Sequence, residues 1–547
     1  MRIFKSMFIA ALATITLASC GSVKSISEKP VPTMETSVAI LQKKGAIGEE
    51  QFNHWAHTDL AADTIPGISL DKAYKFLEGK KGVTVIVGVI DSGIDIEHED
   101  LKDVLWTNTK EIAGNGIDDD NNGYVDDIYG WNFLGGNGVA APEQLEITRI
   151  VAKLNPRFEG KTMSDISESD KVDFLKYQEY LEAYKAASSR HFQTLARMEQ
   201  IGENFAAVKK HLGKETFTLE DLKGINTLEE TLKKQVDDLI GLFGRGLDEA
   251  AYLEYYETQK KNKNYDLNFD GRAIVGDNPE DFSDRNYGNG FVIGSKDEES
   301  HGTHVAGIIL ASRNNNKGLQ GVAHNAKLMS VRAVPDGDER DKDVALAIRY
   351  AVDNGAKVIN MSFGKSYSPN KEWVLDAIKY AAEKDVLLVH AAGNDNKNID
   401  VKDNWPNDSD DKINEISDNV ITIGALSSNV NENMPASFSN YGKLNVDVFA
   451  PGVQIYSTVP KDEYARYSGT SMASPEVAGI ATLIRSYYPQ LSASQVKHII
   501  MNSGVKVNSQ VLIPGGKGEK ASFINLSKAG SIANAYNALL LADKMLN

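Results

Sequence analysis

A series of short apolar runs rich in β-branched residues constrains the fold of this 547-residue chain more than any other feature. Each run has the length of a strand and is apolar on both faces, as expected for parallel strands buried between two layers. Helical patterns, for example at residues 343–354 and 372–384, lie between several of the runs. This alternation predicts an α/β domain with a mostly parallel sheet. The runs occupy residues 83–91, 327–334, 357–363, 386–393, 420–426 and 446–452.

Between residues 140 and 262 the strand-like runs stop and charged helical sequence replaces them. Phe174, Tyr177, Leu181 and Tyr184 step by three and four, which is the spacing along one face of an amphipathic helix. We therefore interpret this stretch as a helical subdomain inserted into the α/β domain.

The N-terminus predicts export. Arg2 and Lys5 precede an apolar run at residues 7–17, which has the length of a signal peptide and is too short to span a bilayer. Small residues then precede Cys20, the only cysteine of the chain, and this pattern resembles the lipobox of bacterial lipoproteins. The resemblance implies a lipid on Cys20 and a cell-envelope lipoprotein facing the periplasm, in the outer membrane or at the cell surface. An ordinary signal peptide with an incidental cysteine is the alternative.

The charge balance argues against one class of partner. The chain carries 76 acidic and 59 basic residues, for a formal net charge of −17. A nucleic-acid binder would show a basic face, and no cluster of Lys and Arg suggests one. We expect no nucleic-acid partner.

Three separated motifs carry side chains suited to acid–base and nucleophilic chemistry. Asp91 ends the first apolar run, and α/β folds place active sites at the carboxyl ends of parallel strands. A cap of a helix or turn is the alternative for this residue taken alone. His301 begins a helical pattern rich in small residues. Ser471 lies at the start of another helix, where free backbone N–H groups help to bind a developing negative charge.

Two neighbouring residues compete for these roles. Ser474 is the alternative nucleophile, but it precedes Pro475 and we expect it to face the helix start. His304 follows His301 by three positions, without the Glu and the i, i+4 histidine pair of a zinc protease helix. We expect His304 to be a packed structural histidine.

Residues 91–95, 301–307 and 469–475 together resemble the motifs of the subtilase family of serine proteases. Their order along the chain, Asp then His then Ser, is the order of subtilisin. The resemblance implies a three-layer subtilisin-like α/β fold and hydrolysis of peptide bonds in proteins or peptides through an acyl-enzyme. It assigns Asp91, His301 and Ser471 as the catalytic triad.

Two further matches imply binding residues. By resemblance, the side chain of Asn394 donates a hydrogen bond to the oxyanion. The edge of the strand near residue 362 would pair with the substrate and line the first specificity pocket, and small residues would form the opposite wall. Phe363 and these small residues hint at an apolar pocket. His390 stands where the family usually has a small residue, and we expect it to pack in the core. The implied pocket residues are Ser362, Phe363, Gly364, Ala391, Ala392 and Gly393.

The resemblance divides the chain into six predicted segments. Asp91 lies in the first part of the catalytic domain, and His301 and Ser471 lie in the second. The segments are a signal peptide (1–19), a lipid-anchored tether (20–54), the first catalytic part (55–139), the helical insertion (140–262), the second catalytic part (263–510) and a C-terminal segment (511–547).

The insertion separates Asp91 from His301 by 210 residues, whereas compact family members separate them by a few dozen. Both of its flanks lead to catalytic residues, so it should lie beside the active-site face. We hypothesise that it restricts or docks substrates. A purely stabilising addition is the alternative.

Two acidic loops resemble the first half of a calcium loop, in which alternate oxygens converge on a hard cation and a glycine permits the turn. Neither loop has the closing bidentate Glu, and an Asx-rich turn without metal is the alternative. A third candidate pairs Asp100 with residues 314–316, by resemblance to a calcium site of the family. We therefore expect structural calcium. The candidate ligands are Asp118, Asp120, Asn122, Asp126, Asp266, Asn268, Asp270, Asp277 and Asp100.

Three functions remain open at this point. The first is an active endopeptidase, and every position of the triad is filled. The second is a catalytically silent surface lipoprotein that uses the fold for binding, for which a broken triad would be expected. The third is a maturation protease of narrow specificity, which the insertion and the membrane tether leave open.

Overall fold

The computed structural model describes residues 30–34, 36–38, 48–244 and 247–546. The predicted signal peptide and Cys20 lie outside these residues, as does most of the predicted tether. Within the described ranges, no helix is both long and apolar enough to cross a membrane.

The described residues contain strands and helices that alternate through the two predicted catalytic parts. The strands are β1 (Ser37–Val38), β2 (Val85–Asp91), β3 (Gly130–Asn132), β4 (Ala326–Arg332), β5 (Val358–Met361), β6 (Leu387–Ala391), β7 (Val420–Leu426), β8 (Val448–Pro451), β9 (Ile455–Val459), β10 (Glu463–Tyr467), β11 (Val505–Val507), β12 (Gln510–Leu512), β13 (Lys520–Ser522) and β14 (Ser531–Ile532). The helices are α1 (Glu49–Asn53), α2 (Leu60–Asp63), α3 (Leu70–Leu77), α4 (Glu146–Phe158), α5 (Lys171–Leu212), α6 (Leu219–Lys223), α7 (Glu230–Phe243), α8 (Glu249–Lys261), α9 (His301–Leu310), α10 (Asp341–Asp353), α11 (Lys371–Glu383), α12 (Thr470–Tyr487), α13 (Ala493–Ser503) and α14 (Ala535–Leu546).

The α/β prediction is confirmed. A large sheet has the strand order β1-β11-β14-β8-β7-β6-β5-β2-β4-β3, and the run from β8 to β3 is parallel throughout. Each of the six predicted apolar runs overlaps one of its strands. Successive side chains of a strand point to opposite faces, so both faces of these apolar runs need a covering layer.

Helices supply that layer on both faces. Val87 and Val89 of β2 belong to a core that includes side chains from α3, α9, α12, α13 and α14. Ile90 of the same strand belongs to the opposite core, which includes side chains from α10 and α11. The three-layer arrangement follows directly from strands that are apolar on both sides.

Residues beyond position 510 belong to this same fold. β14 pairs with β8 in the large sheet, and Ala535, Ala538 and Leu539 of α14 lie in the core beside α3. Part of the predicted tether also belongs to this sheet, because β1 pairs with β11. The predicted C-terminal segment (511–547) therefore takes part in the large sheet through β14, a strand of two residues that carries little sequence pattern of its own.

Helices α4 to α8 lie within residues 140–262 and have their own apolar cores. The first half of α5, with Phe174, Tyr177 and Tyr184, packs against α4. Its second half, with Met198 and Phe205, packs with α6, α7 and α8. A capping box formed by Thr218 and Asp221 starts α6.

A buried ionic network joins the insertion to the sheet. The Lys365 ammonium lies 2.8 Å from an oxygen of Glu146 on α4 and 2.8 Å from an oxygen of Asp341 on α10. It also donates a 2.7 Å hydrogen bond to the carbonyl of Glu339, and Arg149 contacts Glu146 at 2.5 Å. Burial alone would raise the pKa of Glu146, but the attraction of Lys365 and Arg149 outweighs it and lowers that pKa to about 2.

We predict that Lys365→Met lowers the free energy of unfolding by about 3–5 kcal/mol, because it leaves Glu146 and Asp341 buried without this cation. Urea denaturation measures the loss. The matched control is Lys185→Met on α5, whose partner Glu182 is exposed and whose removal should cost less than about 1 kcal/mol. Equal losses of unfolding free energy in the two variants would show that the buried network stabilises the fold no more than an exposed ion pair does.

Candidate active site

A short polar contact at the carboxyl edge of the sheet joins the last residue of β2 to the first residue of α9. His301 Nδ1 lies 2.7 Å from Asp91 Oδ1. The same oxygen accepts the backbone N–H of Ser92 at 2.8 Å. Asp91 is 1% exposed, whereas the side chain of His301 is 39% exposed. A buried carboxylate therefore holds one nitrogen of an imidazole that remains accessible to solvent.

Gly302 allows this pair to form. A Cβ atom at this position would lie 2.3 Å from the carbonyl oxygen of Gly93 and 3.1 Å from the Cβ of Asp91. Any larger residue would push the start of α9 away from the end of β2. The small residue beside His301 thus sets the distance between the histidine and the aspartate.

Asp91 also changes the acidity of the imidazole. Burial lowers the pKa of His301, but the attraction and hydrogen bond of Asp91 outweigh burial, so the pKa lies above its ordinary value of 6.5. A carboxylate at Nδ1 favours the tautomer with the proton on that nitrogen, which leaves Nε2 as the acceptor.

Ser471 is the second residue of α12, and its hydroxyl donates a 3.1 Å hydrogen bond to the carbonyl of Ser362. The carbonyl of Ser471 in turn accepts the hydroxyl of Ser362 at 2.9 Å. Pro475 has no N–H to give to the carbonyl four residues before it, so the Ser362 hydroxyl supplies the missing donor. The start of α12 is thereby tied to the end of β5.

The two competing residues are buried and engaged elsewhere. Ser474 is fully buried, and its hydroxyl donates to Asn360 at 2.9 Å. His304 is also fully buried, stacks on Tyr467 with ring centroids 4.4 Å apart, and has a pKa lowered to about 3, chiefly by burial. These contacts are those of packed residues, as expected for His304.

Asn394 is exposed beside the start of α12. Its Oδ1 accepts the backbone N–H of Thr470 at 2.9 Å and the hydroxyl of Thr470 at 3.0 Å. The Thr470 hydroxyl also accepts the backbone N–H of Gly393 at 3.0 Å. With Oδ1 occupied, the Nδ2 group of Asn394 is the end of the amide left to donate.

The six predicted pocket residues follow two adjacent strands. Ser362, Phe363 and Gly364 come directly after β5. Ala391 is the last residue of β6, and Ala392 and Gly393 follow it. Phe363 is only 9% exposed and packs in the core under α10 and α11. Ala392 is fully buried in another core cluster. Backbone and glycine, rather than apolar side chains, therefore make up much of these two edges.

His390 packs behind these edges. It is 1% exposed, and its Nε2 lies 2.9 Å from the carbonyl oxygen of Phe363. Burial lowers its pKa to about 4, so the ring is neutral at neutral pH. The expectation of a packed His390 agrees with this position.

The insertion borders the Asp91–His301 pair across a large cleft. A cavity of about 1160 Å³ is lined by Asp91, His301 and Ser362 on one side and by the end of α8 on the other. Lys261, the last residue of α8, lies 3.3 Å from Glu298, three residues before His301. The insertion thus forms part of the cleft wall, which agrees with the position beside the active-site face that its flanks predicted.

The first predicted calcium loop brings three carboxylates together. Single oxygens of Glu111, Asp118 and Asp120 lie within 4.8 Å of one another. Sequence analysis missed Glu111, because it stands outside the motif. Asn122 donates its backbone N–H to both aspartates. The Asp126 carboxylate is instead bonded to the backbone N–H groups of residues 114–116, away from this cluster.

The second loop does not gather its predicted ligands. Asp277 contacts Arg272 at 2.5 Å and Lys342 at 2.7 Å, and all three are buried. The charge of Asp277 is therefore neutralised by these two cations. Asp270 accepts the backbone N–H of Arg272 at 3.0 Å. Asp266 lies 3.3 Å from Lys263 and accepts the backbone N–H of Asn268 at 3.1 Å.

Asp100 lies beside the loop with which it was paired. It is buried, and its carboxylate accepts Asn315 Nδ2 at 2.5 Å and the hydroxyl of Tyr464 at 3.2 Å. The carboxylate is therefore satisfied by hydrogen bonds within the protein. The pairing anticipated from sequence is present, with Asn315 as a donor.

Comparison with known proteins identifies the family of this fold and site. Residues 82–518 match the profile of the subtilase family. The chain belongs to the subtilase family. This subtilase is therefore grouped with serine-type endopeptidases, as the three motifs indicated.

Three relatives are similar to this subtilase. It is 42% identical to a thermophilic serine proteinase of Bacillus sp. (strain AK1), over 40% of this chain and 48% of that protein. It is 38% identical to subtilisin DY of Bacillus licheniformis, over 40% of this chain and 77% of that protein. It is 39% identical to thermitase of Thermoactinomyces vulgaris, over 38% of this chain and 68% of that protein. The match thus spans about half the length of the first relative.

Proposed function

We propose that this subtilase hydrolyses peptide bonds through an acyl-enzyme, with Ser471 as nucleophile, His301 as general base and Asp91 as the residue that orients the base. The observation that carries the proposal is the 2.7 Å contact between buried Asp91 and accessible His301. A helix start bearing a serine lies at the same edge of the sheet. A nucleophile, a base and a group that orients the base are the three parts that acyl transfer requires.

The reaction begins when the Ser471 hydroxyl leaves the carbonyl of Ser362 and turns toward His301. Nε2 of His301 accepts the hydroxyl proton as Oγ attacks the substrate carbonyl carbon. Asp91 stabilises the imidazolium that forms, because the carboxylate and the positive ring lie in contact.

The attack converts the carbonyl oxygen into an oxyanion. The Nδ2 group of Asn394 and the backbone N–H of Ser471 would donate to it. Thr470 holds Oδ1 of Asn394, so the amide is oriented before the charge develops. Donors oriented in advance stabilise a transition state without reorganising during the reaction.

The second half of the reaction reverses the proton's path. His301 gives its proton to the leaving amine, and the peptide C–N bond breaks to leave an ester on Ser471. Water, deprotonated by His301, attacks this ester and releases the acid. The serine recovers its proton from His301 and the site is restored.

We predict that a fluorophosphonate probe labels the wild-type protein and fails to label Ser471→Ala, because only an activated serine reacts with it. Gel fluorescence of purified protein measures the labelling. Ser474→Ala is the matched control and should remain labelled. Labelling that persists in Ser471→Ala, or a folded wild type that is never labelled, would contradict the proposal and favour a silent binding protein.

The pH profile of the same reaction tests the role of Asp91. Labelling should slow as the pH falls through the raised pKa of His301, because the imidazolium cannot accept the serine proton. Asp91→Asn removes the attraction that raises this pKa, so the midpoint should move to lower pH. An unchanged midpoint would argue against the pair acting together.

We also propose that calcium binds at Glu111, Asp118 and Asp120. Carboxylate oxygens are the ligands that calcium prefers, and three of them converge here. The ammonium of Lys110 is 3.7 Å from Asp120 but its side chain is 76% exposed. A bound calcium ion would supply charge compensation to this loop.

We predict that exhaustive chelation lowers the melting temperature of the wild-type protein by several degrees, because calcium bound only to the folded state stabilises it. Differential scanning fluorimetry with and without calcium measures the shift. The Asp118→Asn, Asp120→Asn double variant should lose the shift. If that variant keeps the shift in melting temperature, the stabilising calcium binds at the Asp266 or Asp100 loop instead. If the wild type shows no shift, none of the three loops binds stabilising calcium.

We further propose that the protein is exported and anchored to the cell envelope by a lipid on Cys20. The support is the sequence alone: an apolar run of signal-peptide length ends in small residues before the only cysteine. Several acyl chains on one residue would make the attachment stable.

We predict that cells expressing the full chain incorporate labelled palmitate into it and that Cys20→Ser abolishes the incorporation. Partition into the detergent phase should be lost together with the label. Ser471→Ala is the control, because it removes the proposed nucleophile without touching the signal sequence. Palmitate found in the Cys20→Ser variant would overturn the proposal.

A further inference from the structure

One buried carboxyl group of α12 takes no part in the proposed mechanism. Glu476 lies on the same helix as Ser471, five residues further along, and is 1% exposed. Its Oε2 has no hydrogen-bond partner in the part of the chain that the structure describes, and no ion pair with another described residue includes it. An ionised carboxylate at this position would lose its hydration without gaining a counter-charge.

Glu476 lines a small cavity between α12, α9 and the segment 53–57. Ile308 of α9 and Trp55 line the same cavity, and both belong to the apolar core. Trp55 is held there by a 3.2 Å hydrogen bond from its Nε1 to the carbonyl of Val453. The cavity has a volume of about 10 Å³, which admits at most about one water molecule and is too small to hydrate a charge.

The titratable groups that the structure describes around this cavity do not pair with the carboxyl. Burial lowers the pKa of His57 to about 3, and it lowers the pKa of His304 on α9 to about 3 as well, so both rings are neutral at neutral pH. Burial also raises the pKa of Tyr456, which keeps its phenol neutral, and His54 is exposed to solvent. The guanidinium of Arg313 contributes to the low pKa of His57 but forms no ion pair with the carboxyl.

We propose that Glu476 makes the packing of α12 against α9 depend on a buried proton, so that the fold loses stability as the pH rises. In the unfolded chain the carboxyl is hydrated and ionises at its ordinary pKa of 4.5, whereas burial raises its pKa well above that value in the fold. Unfolding therefore releases a proton at neutral pH. The stabilisation is complete at low pH and is lost as the pH rises through the raised pKa of the folded state.

The device would act on the helices that carry the proposed catalytic residues. His301 is the first residue of α9 and Ser471 the second residue of α12, and the two helices pack against each other beside Glu476. The inference itself rests on burial and does not require the proposed function.

The test compares urea unfolding of the wild type and of Glu476→Gln, a neutral variant of nearly the same shape, at pH values from about 5.5 to 8.5. The unfolding equilibrium constant of the wild type, divided by that of the variant, should rise about tenfold per pH unit while the folded carboxyl keeps its proton. All other titratable groups are present in both proteins, so their effects cancel in this ratio. Glu476→Met also lacks the titratable group and should give the same slope, so it replaces the Gln variant if that variant does not fold.

The matched control is Glu179→Gln on α5, because Glu179 is exposed and its carboxyl remains in water in both states. Its ratio of unfolding constants should not change with pH. A ratio that is equally constant for the Glu476 variants would overturn the inference, since the folded carboxyl would then be ionised already. The measurement needs no catalysis, so the failure of this inference and the failure of the proposed function are distinguishable: a fluorophosphonate probe tests the second alone.

Discussion

The parallel pairing of β2, β5 and β6 is the constraint on which the cleft depends. Because parallel strands present their carboxyl ends at one edge, Asp91 and the two segments that follow β5 and β6 emerge side by side. Helices α9 and α12 pack on the same face of the sheet, and both begin at this edge. Residues 301 and 471 are the first and second residues of these helices.

Burial of charge is the second constraint, and it connects the insertion to the same edge. Lys365 stands one residue beyond the predicted pocket wall, and its ammonium is shared between Glu146 of the insertion and Asp341 of α10. A buried ammonium is stable only while such partners surround it. The insertion therefore cannot shift against the strand edge without exposing or stranding a charge. At its other end, α8 borders the cleft itself.

Local pattern predicted the framework well. The six apolar runs form strands of one sheet, and the stretch of helical spacing at residues 140–262 forms α4 to α8. These elements were predictable because the period of a strand or a helix depends on residues that are close in sequence. The acidic loops were harder to interpret. Asp126 and Asp277 fit the spacing of calcium ligands, yet backbone N–H groups bind the first and buried cations bind the second. Spacing alone carries no information about such partners.

The sequence by itself determined the chemical types present, their order along the chain and the strand and helix periods, and these identified the fold class and the family. The tertiary structure decided which distant residues meet. Glu111 joins Asp118 and Asp120, and Lys365 meets Glu146 and Asp341. None of these meetings has a local signal, because each depends on how separate segments pack. Sequence periodicity indicates whether a residue is buried or exposed, whereas the packing of distant segments determines which residues it contacts.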